Sequence, residues 1–370
     1  MTEIFLTIFF ISVLLFFLGS GVWVAISMIG VSTIGMILFT SRPVGDAMAT
    51  TIWGTSSSWT LTALPLFVWM GEILFRTRLS ENLFAGLSPW MQKLPGGLIH
   101  VNVVGCALFA AISGSSAATV ATVGKMSIPE LRKRKYPERI LLGSLAGSGT
   151  LGLLIPPSII LIIYGVTVQE SIAKLFIAGI LPGIMIALIF MSYVVIWSLI
   201  NKKSMPKYVE NFSFLEKIKK SKQLLPVIIL ISAVIGSIYT GVATATEAAS
   251  LGVVGALILS YFQGSLTVES FKLSLLGATK TSCMIAFILA GSTFLSLAMG
   301  FTGLPRNLAL WIQNMELSPY VLIFVLMIFY IILGMFLDGI SAVVLTMAII
   351  EPMIRQAGFD MIWFGIFLVI

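Results

Sequence analysis

Residues 147–158 read Gly147-Ser148-Gly149-Thr150-Leu151-Gly152-Leu153-Leu154-Ile155-Pro156-Pro157-Ser158, inside an apolar run over 140–163. Each proline lacks an amide donor and its ring clashes with the preceding turn, so no continuous helix passes through Pro156-Pro157. The segment is expected to be a helix broken within an apolar environment. Carbonyls near Gly147, Gly152 and Ile155, released by Pro156 and its neighbour, would join the hydroxyls of Ser148 and Thr150 as neutral oxygen ligands, the kind that hold Na⁺ in interrupted membrane helices. A simple proline kink would use the same residues.

The rest of the chain supplies the membrane that such a helix needs. Of 370 residues, 58% are hydrophobic and only 10% charged, with a mean hydropathy of +1.07, against roughly 25% charged residues in a soluble domain. Too few charges remain to cover a water-facing surface, which excludes a soluble enzyme. Cys106 and Cys283 both lie in apolar stretches and His100 is the only histidine, so neither a disulfide framework nor a multi-histidine or thiolate metal site can be assembled. The net charge of +7 comes from basic residues clustered between apolar segments, which is topology rather than a nucleic-acid partner.

Apolar segments recur at roughly 4–18, 22–40, 60–75, 97–131, 140–163, 173–200, 224–243, 247–262, 274–299, 319–354 and 361 onward. Residues 97–131 and 319–354 are too long for one span of about 20 residues. Each is interrupted near its middle, by Ser113-Gly114-Ser115-Ser116 and by Asp338-Gly339-Ile340-Ser341. Each reads as a re-entrant hairpin whose turn lies at membrane depth. Two ordinary spans joined by a short loop satisfy the same composition. With both segments as hairpins and the N-terminus outside, 17 of the 22 basic residues, Arg78 and Lys207 among them, fall on the cytoplasmic side, and Arg306 and Arg355 fall outside. The lysine-rich linker 201–222 carries interspersed Tyr208, Phe212, Phe214, Leu215 and Ile218. It reads as an amphipathic segment on the cytoplasmic surface or as a solvated loop.

The order of features repeats. Ile128-Pro129 after the first hairpin and Glu351-Pro352 after the second stand 223 residues apart, and Arg132 falls on Arg355. The path inverts one half relative to the other, which is a transporter signature. The expected organisation is a first repeat over 1–200 with hairpin 97–131 and broken helix 147–158, a basic linker over 201–222, and a second repeat over 223–370 with hairpin 319–354. The same offset carries Gly147 to residue 370. The partner of the first broken helix is therefore expected beyond the last residue, the second half is expected to be C-terminally truncated, and the chain as written is expected not to transport.

Membrane-depth polar residues are few. Asp338, with Gly339 and Ser341, marks the second turn, and an ionisable residue there is a functional candidate by default; a helix cap is the structural alternative. Ser113, Ser115 and Ser116 offer oxygens and free amides at the first turn, where a helix N-terminus also favours anions, although serines in apolar helices often bond back to their own backbone. Glu72 with Arg76, and Glu247, read as structural. The sequence holds no nucleophile–base pair, no paired acids at metal-binding spacing and no phosphate loop, so nothing argues for an enzyme.

These motifs together resemble a known family. The stretch from Gly149 to Ile159, Tyr164-Gly165, Lys174 to Gly183, Leu64-Pro65-Leu66-Phe67, Gly71-Glu72, Ser113 to Ser116, Thr246-Glu247-Ala248 and Gly334-Met335-Phe336-Leu337-Asp338 closely resemble the large membrane subunit of tripartite ATP-independent periplasmic (TRAP) transporters. The resemblance implies an all-α, elevator-type carrier in a bacterial inner membrane, driven by Na⁺ with no other cofactor. It also implies a small four-span membrane subunit and a periplasmic binding protein that delivers a small organic anion. The family's ion sites map onto Ser113 to Ser116, Gly147 to Pro156 and Asp338 to Ser341, and Ser116, Thr150 and Ser158 are expected to face the substrate. Ala348 stands where a proline is common in the family. A stand-alone ion exchanger or channel built on the same broken helices is the alternative.

Overall fold

The computed structural model describes residues 2–77, 79–206, 212–222, 224–305, 307, 310, 318–335 and 337–370. Arg78, Lys207, Tyr208, Arg306 and Phe336 lie outside the described residues, as does the side chain of Ser113. Among the described residues every regular element is a helix, as the bilayer requires of a chain that is not a closed barrel. Four helices among the described residues are by themselves long and apolar enough to cross a membrane, and counting each of three bent helix pairs as one span raises that to seven. The chain is a polytopic α-helical membrane protein. It divides into two compact units, each built from separated stretches of sequence.

One unit comprises Thr62–Leu161 and Ile172–Lys280. Its helices are α4 (Ala63–Phe75), α5 (Leu79–Met91), α6 (His100–Ser113), α7 (Ser116–Lys133), α8 (Glu138–Gly149), α9 (Leu151–Leu154), the start of α10 (Ile159–Thr167), α11 (Ile172–Ile200), α12 (Phe214–Ser221), α13 (Leu225–Tyr239), α14 (Ala245–Phe262) and the start of α15 (Val268–Thr302). Helices α4 and α14 meet at Gly252, where a Cβ would come within 2.5 Å of Met70 Sδ and 3.3 Å of Val234 Cγ2 of α13. Glycine is what lets three apolar helices approach so closely. The linker forms a helix, α12, opened by a capping box in which Ser213 N donates to Glu216 Oε2 at 2.8 Å. It lies on α5, with Trp90 Nε1 donating to Ser221 Oγ at 2.8 Å.

The other unit comprises Met1–Leu61, Ile162–Ser171 and Thr281–Ile370. It contains α1 (Thr2–Gly19), α2 (Val24–Phe39), α3 (Val44–Ser56), the remainders of α10 and α15, α16 (Pro319–Gly334), α17 (Gly339–Gln356) and α18 (Met361–Val369). The turn between α1 and α2 uses Gly21 at φ +77°, a conformation that favours glycine. Helix α15 runs through the centre of this unit. Its Phe294 and Ala298 are fully buried with Met36 of α2, Gly291 lets the Ala25 carbonyl approach, and Ser292 Oγ donates to the Val344 carbonyl of α17 at 2.6 Å.

Candidate ion and substrate site

The first interrupted segment folds back on itself. Helix α6 has 14 residues, about 21 Å at 1.5 Å per residue, which is short of the roughly 30 Å hydrocarbon core. Gly114 ends it in the left-handed region at φ +57°, and Ser115 then caps α7 by accepting from Ala118 N at 3.5 Å. At the open end the Leu98 amide donates to Tyr136 Oη at 3.0 Å, so the two ends of the segment meet.

The second interruption lies where the prolines stand. The i+4 partners of the Gly152 and Leu153 carbonyls would be Pro156 and Pro157, which have no N–H. The Ile155 amide still donates to the Leu151 carbonyl at 2.9 Å, and beyond it the helical ladder stops. Ser158 closes the gap, its hydroxyl donating to the Leu153 carbonyl and accepting from Leu161 N at 3.5 Å. The Pro156-Pro157 peptide is cis. Helices α8 and α9 on one side and α10 on the other form a pair bent by 40°.

The hairpin tip sits on this break. A Cβ at Gly114 would lie 3.0 Å from the Pro157 carbonyl oxygen and 3.1 Å from Ile159 N. A Cβ at Gly152 would lie 3.0 Å from the Ser115 carbonyl oxygen and from Thr119 Oγ1, and one at Gly149 would collide with Val120. Ser115, Ser116 and Gly152 are thereby gathered where backbone oxygens, helix-end amides and hydroxyls meet, whereas Ile155 packs against Gly183 of α11 and Pro156 interrupts the ladder beside it. Gly147 and Thr150 are placed differently within the same stretch. The Gly147 carbonyl accepts from Thr150 N at 3.2 Å and Thr150 Oγ1 at 2.7 Å, so it is engaged rather than released. Ser148 is fully buried and donates to the Ser144 carbonyl at 2.6 Å, with the Asn102 carbonyl at 3.4 Å; its lone pairs stay available as acceptors.

Asn102 and Ser144 escape a reading along the sequence. Asn102 Nδ2 donates to Ser144 Oγ at 3.0 Å and to the Leu141 carbonyl at 3.2 Å, while its buried Oδ1 has no partner among the described residues. The available signal is an asparagine in an apolar run, since a buried amide must find partners.

In the other unit Asp338 caps α17, its carboxylate accepting from Ser341 N at 3.3 Å, next to Gly339. Asp338 is exposed and Ser341 buried. Tyr330 Oη and Thr346 Oγ1, 2.7 Å apart and equally far along the chain from Asp338, tie the two arms antiparallel. Among the described residues no group of three or more His, Cys, Asp or Glu side chains could hold a metal ion.

Residues 10–370 match the family model of the DctM component of tripartite ATP-independent periplasmic transporters. The chain belongs to this family. It is 32% identical to the C4-dicarboxylate TRAP transporter large permease protein DctM of Pseudomonas aeruginosa, over 92% of this chain and 80% of that protein. It is 30% identical to the sialic acid TRAP transporter large permease protein SiaM of Vibrio cholerae, over 94% and 81%. It is 31% identical to the 2,3-diketo-L-gulonate TRAP transporter large permease protein YiaN of Escherichia coli, over 87% and 76%. As a DctM component it is a transport permease and not an enzyme, one part of a tripartite system.

Proposed function

We propose that this permease imports a small organic anion, a carboxylate or sugar acid, into the cell by coupling it to Na⁺. The anion is delivered by a periplasmic binding protein, and a small four-span subunit completes the membrane assembly in the bacterial inner membrane. The observation that carries this reading is the seating of the first hairpin tip, Gly114 to Ser116, on the break at Gly149 to Pro157. There the residues offer oxygens without charge, which suit Na⁺, beside the N-terminus of α7, which suits an anion. The substrates named for the relatives, a C4-dicarboxylate, sialic acid and 2,3-diketo-L-gulonate, support a substrate of this class.

In this reading both interrupted segments are re-entrant and the hairpin moves with the broken helix as one body. Gly149 and Gly152 lock the tip to the break, so a substrate held there travels with both. Na⁺ on the oxygens of Ser115, Ser116, Ser148 and the Gly152 carbonyl would hold the tip closed over the anion. The test is anion uptake by the reconstituted tripartite system as a function of Na⁺. Ser115→Ala, Ser116→Ala and Ser148→Ala are each expected to raise the half-saturating Na⁺ concentration several-fold. Unchanged Na⁺ dependence in all three would sink the assignment.

A further inference from the structure

An open pocket of about 360 Å³ lies between α5, α7 and α12, away from the site above. Phe84, Met126 and Phe212 line its apolar part, and Glu130, Arg134 and Lys220 its polar part. Arg134 Nε stands 3.8 Å from Glu130 Oε2, and Lys220 holds its ammonium 4.0 Å from the Phe212 ring centre. The surroundings are strongly basic, with Lys217, Lys219 and Lys222 on and after α12 and Arg132, Lys133 and Lys135 at the end of α7. Beside these charges α12 leaves Phe214 and Leu215 66% and 76% exposed, and Trp90 meets Phe214 edge to face at 6.2 Å. Exposed apolar side chains next to lysines are the two halves of an interfacial membrane contact.

We propose that this pocket binds the headgroup of an anionic glycerophospholipid from the cytoplasmic leaflet. The phosphodiester meets Lys220 and Arg134, headgroup hydroxyls donate to Glu130, and the acyl chains leave past Phe84 and Phe212. Charge complementarity selects an anionic lipid over a zwitterionic one, because cations outnumber the single carboxylate and the neighbouring lysines add to the same field. The bound lipid would bridge the second arm of the hairpin to α5 and α12, so transport would depend on the anionic lipid content of the membrane.

The proposal rests on the orientation that puts the basic loops in the cytoplasm, and the experiment separates the two. The full-length permease with its partner subunit is reconstituted in nanodiscs of phosphatidylglycerol or phosphatidylcholine, extracted, and weighed intact by native mass spectrometry. One retained phosphatidylglycerol is expected, and no retained phosphatidylcholine. At about a fivefold loss per cation, Arg134→Gln with Lys220→Gln should weaken retention roughly thirtyfold, whereas Lys220→Arg and Lys219→Gln should keep the lipid. Ala85→Phe fills the pocket with its charges intact and should also expel it, which guards against misfolding of the double variant. Equal retention of phosphatidylcholine, retention by both the double variant and Ala85→Phe, or displacement of the lipid by millimolar inorganic phosphate would each overturn the proposal. Labelling of Lys133→Cys from outside the cell, with Cys106 and Cys283 replaced, would overturn only the choice of leaflet.

Discussion

The two hairpins use one backbone device with opposite electrostatics. In each, a short first arm ends and a side chain caps the second arm, Ser115 for α7 and Asp338 for α17. The serine is neutral and leaves the positive end of the α7 dipole to a ligand. The aspartate cancels that end of α17 and places a carboxylate at the turn. The first tip is thus suited to an anion and the second to a cation. Their packing also differs. The first tip is pressed onto the Pro156-Pro157 break through glycines whose Cβ positions would lie about 3.0 Å or less from their neighbours, whereas Gly334 at the end of α16 has nothing within 4 Å of its Cβ position among the described residues.

The packing contrast gives the largest expected effect. At Gly149 even an alanine methyl would strike Val120, and overpacking of a close contact costs about 1–3 kcal/mol. Gly149→Ala is therefore expected to lower the thermal stability of the purified permease and to reduce uptake at least tenfold. Gly334→Ala should leave uptake within twofold and stability unchanged or higher by up to about 1 kcal/mol, the helix-propensity gain. Equal losses at the two glycines would show that the hairpins seat alike.

What the sequence discloses follows from how local each cause is. The break at Pro156-Pro157 is legible because proline acts on its own backbone, and the cap at Asp338, the structural alternative for that residue, because a cap spans three residues; that Ser115 caps α7 emerges only in the structure. Helices α3 and α5 are not legible as apolar segments. Asp46 in α3, and Glu81 and Pro89 in α5, dilute the apolarity on which the segments were recognised, although Leu83 and Leu87 of α5 mark a buried face. The seating of Gly114 on Pro157, and the Asn102–Ser144–Ser148 cluster, join residues about 40 positions apart. Nothing in a linear reading distinguishes Gly149, which is packed shut, from Gly143, which is open.

The charge contrast is sharpened by exchanging the two caps. Asn and Asp cap helices about equally well, so Asp338→Asn preserves the turn and removes only the charge. The expected result is a half-saturating Na⁺ concentration raised about tenfold, roughly 1.4 kcal/mol of ion binding, with little change in melting temperature. The reciprocal Ser115→Asp adds a carboxylate where the anion would dock and should raise the KM for the anion while keeping the cap. If Asp338→Asn leaves the Na⁺ dependence in place, the carboxylate is a cap and nothing more, and the cation belongs to the first tip alone.

The smallest effect separates two arginines that occupy matching places after the hairpins. Arg132 pairs with Glu138 at 2.6 Å, but more than half of each side chain is exposed. Surface pairs of that kind contribute little because water screens them and two long side chains must be held still. Arg355 is more embedded in its surroundings. Its Nε donates to Glu351 at 2.9 Å and one Nη to the Val168 carbonyl at 3.0 Å, with Glu170 a further 3.8 Å contact. Losing Arg355 strips a charge-assisted bond from a backbone carbonyl as well as an ion pair, and partial exposure brings the expected cost to about 1 kcal/mol. Arg355→Gln should therefore lower the melting temperature of the purified permease by a few degrees, and the shift should shrink in high salt only in part, since the bond to Val168 is less screened than an ion pair. Arg132→Gln should not move it measurably. A melting-temperature loss at Arg132 as large as that at Arg355 would mean that the loop after the first hairpin is held as firmly as the segment after the second, and the structural asymmetry between the halves would be confined to their tips.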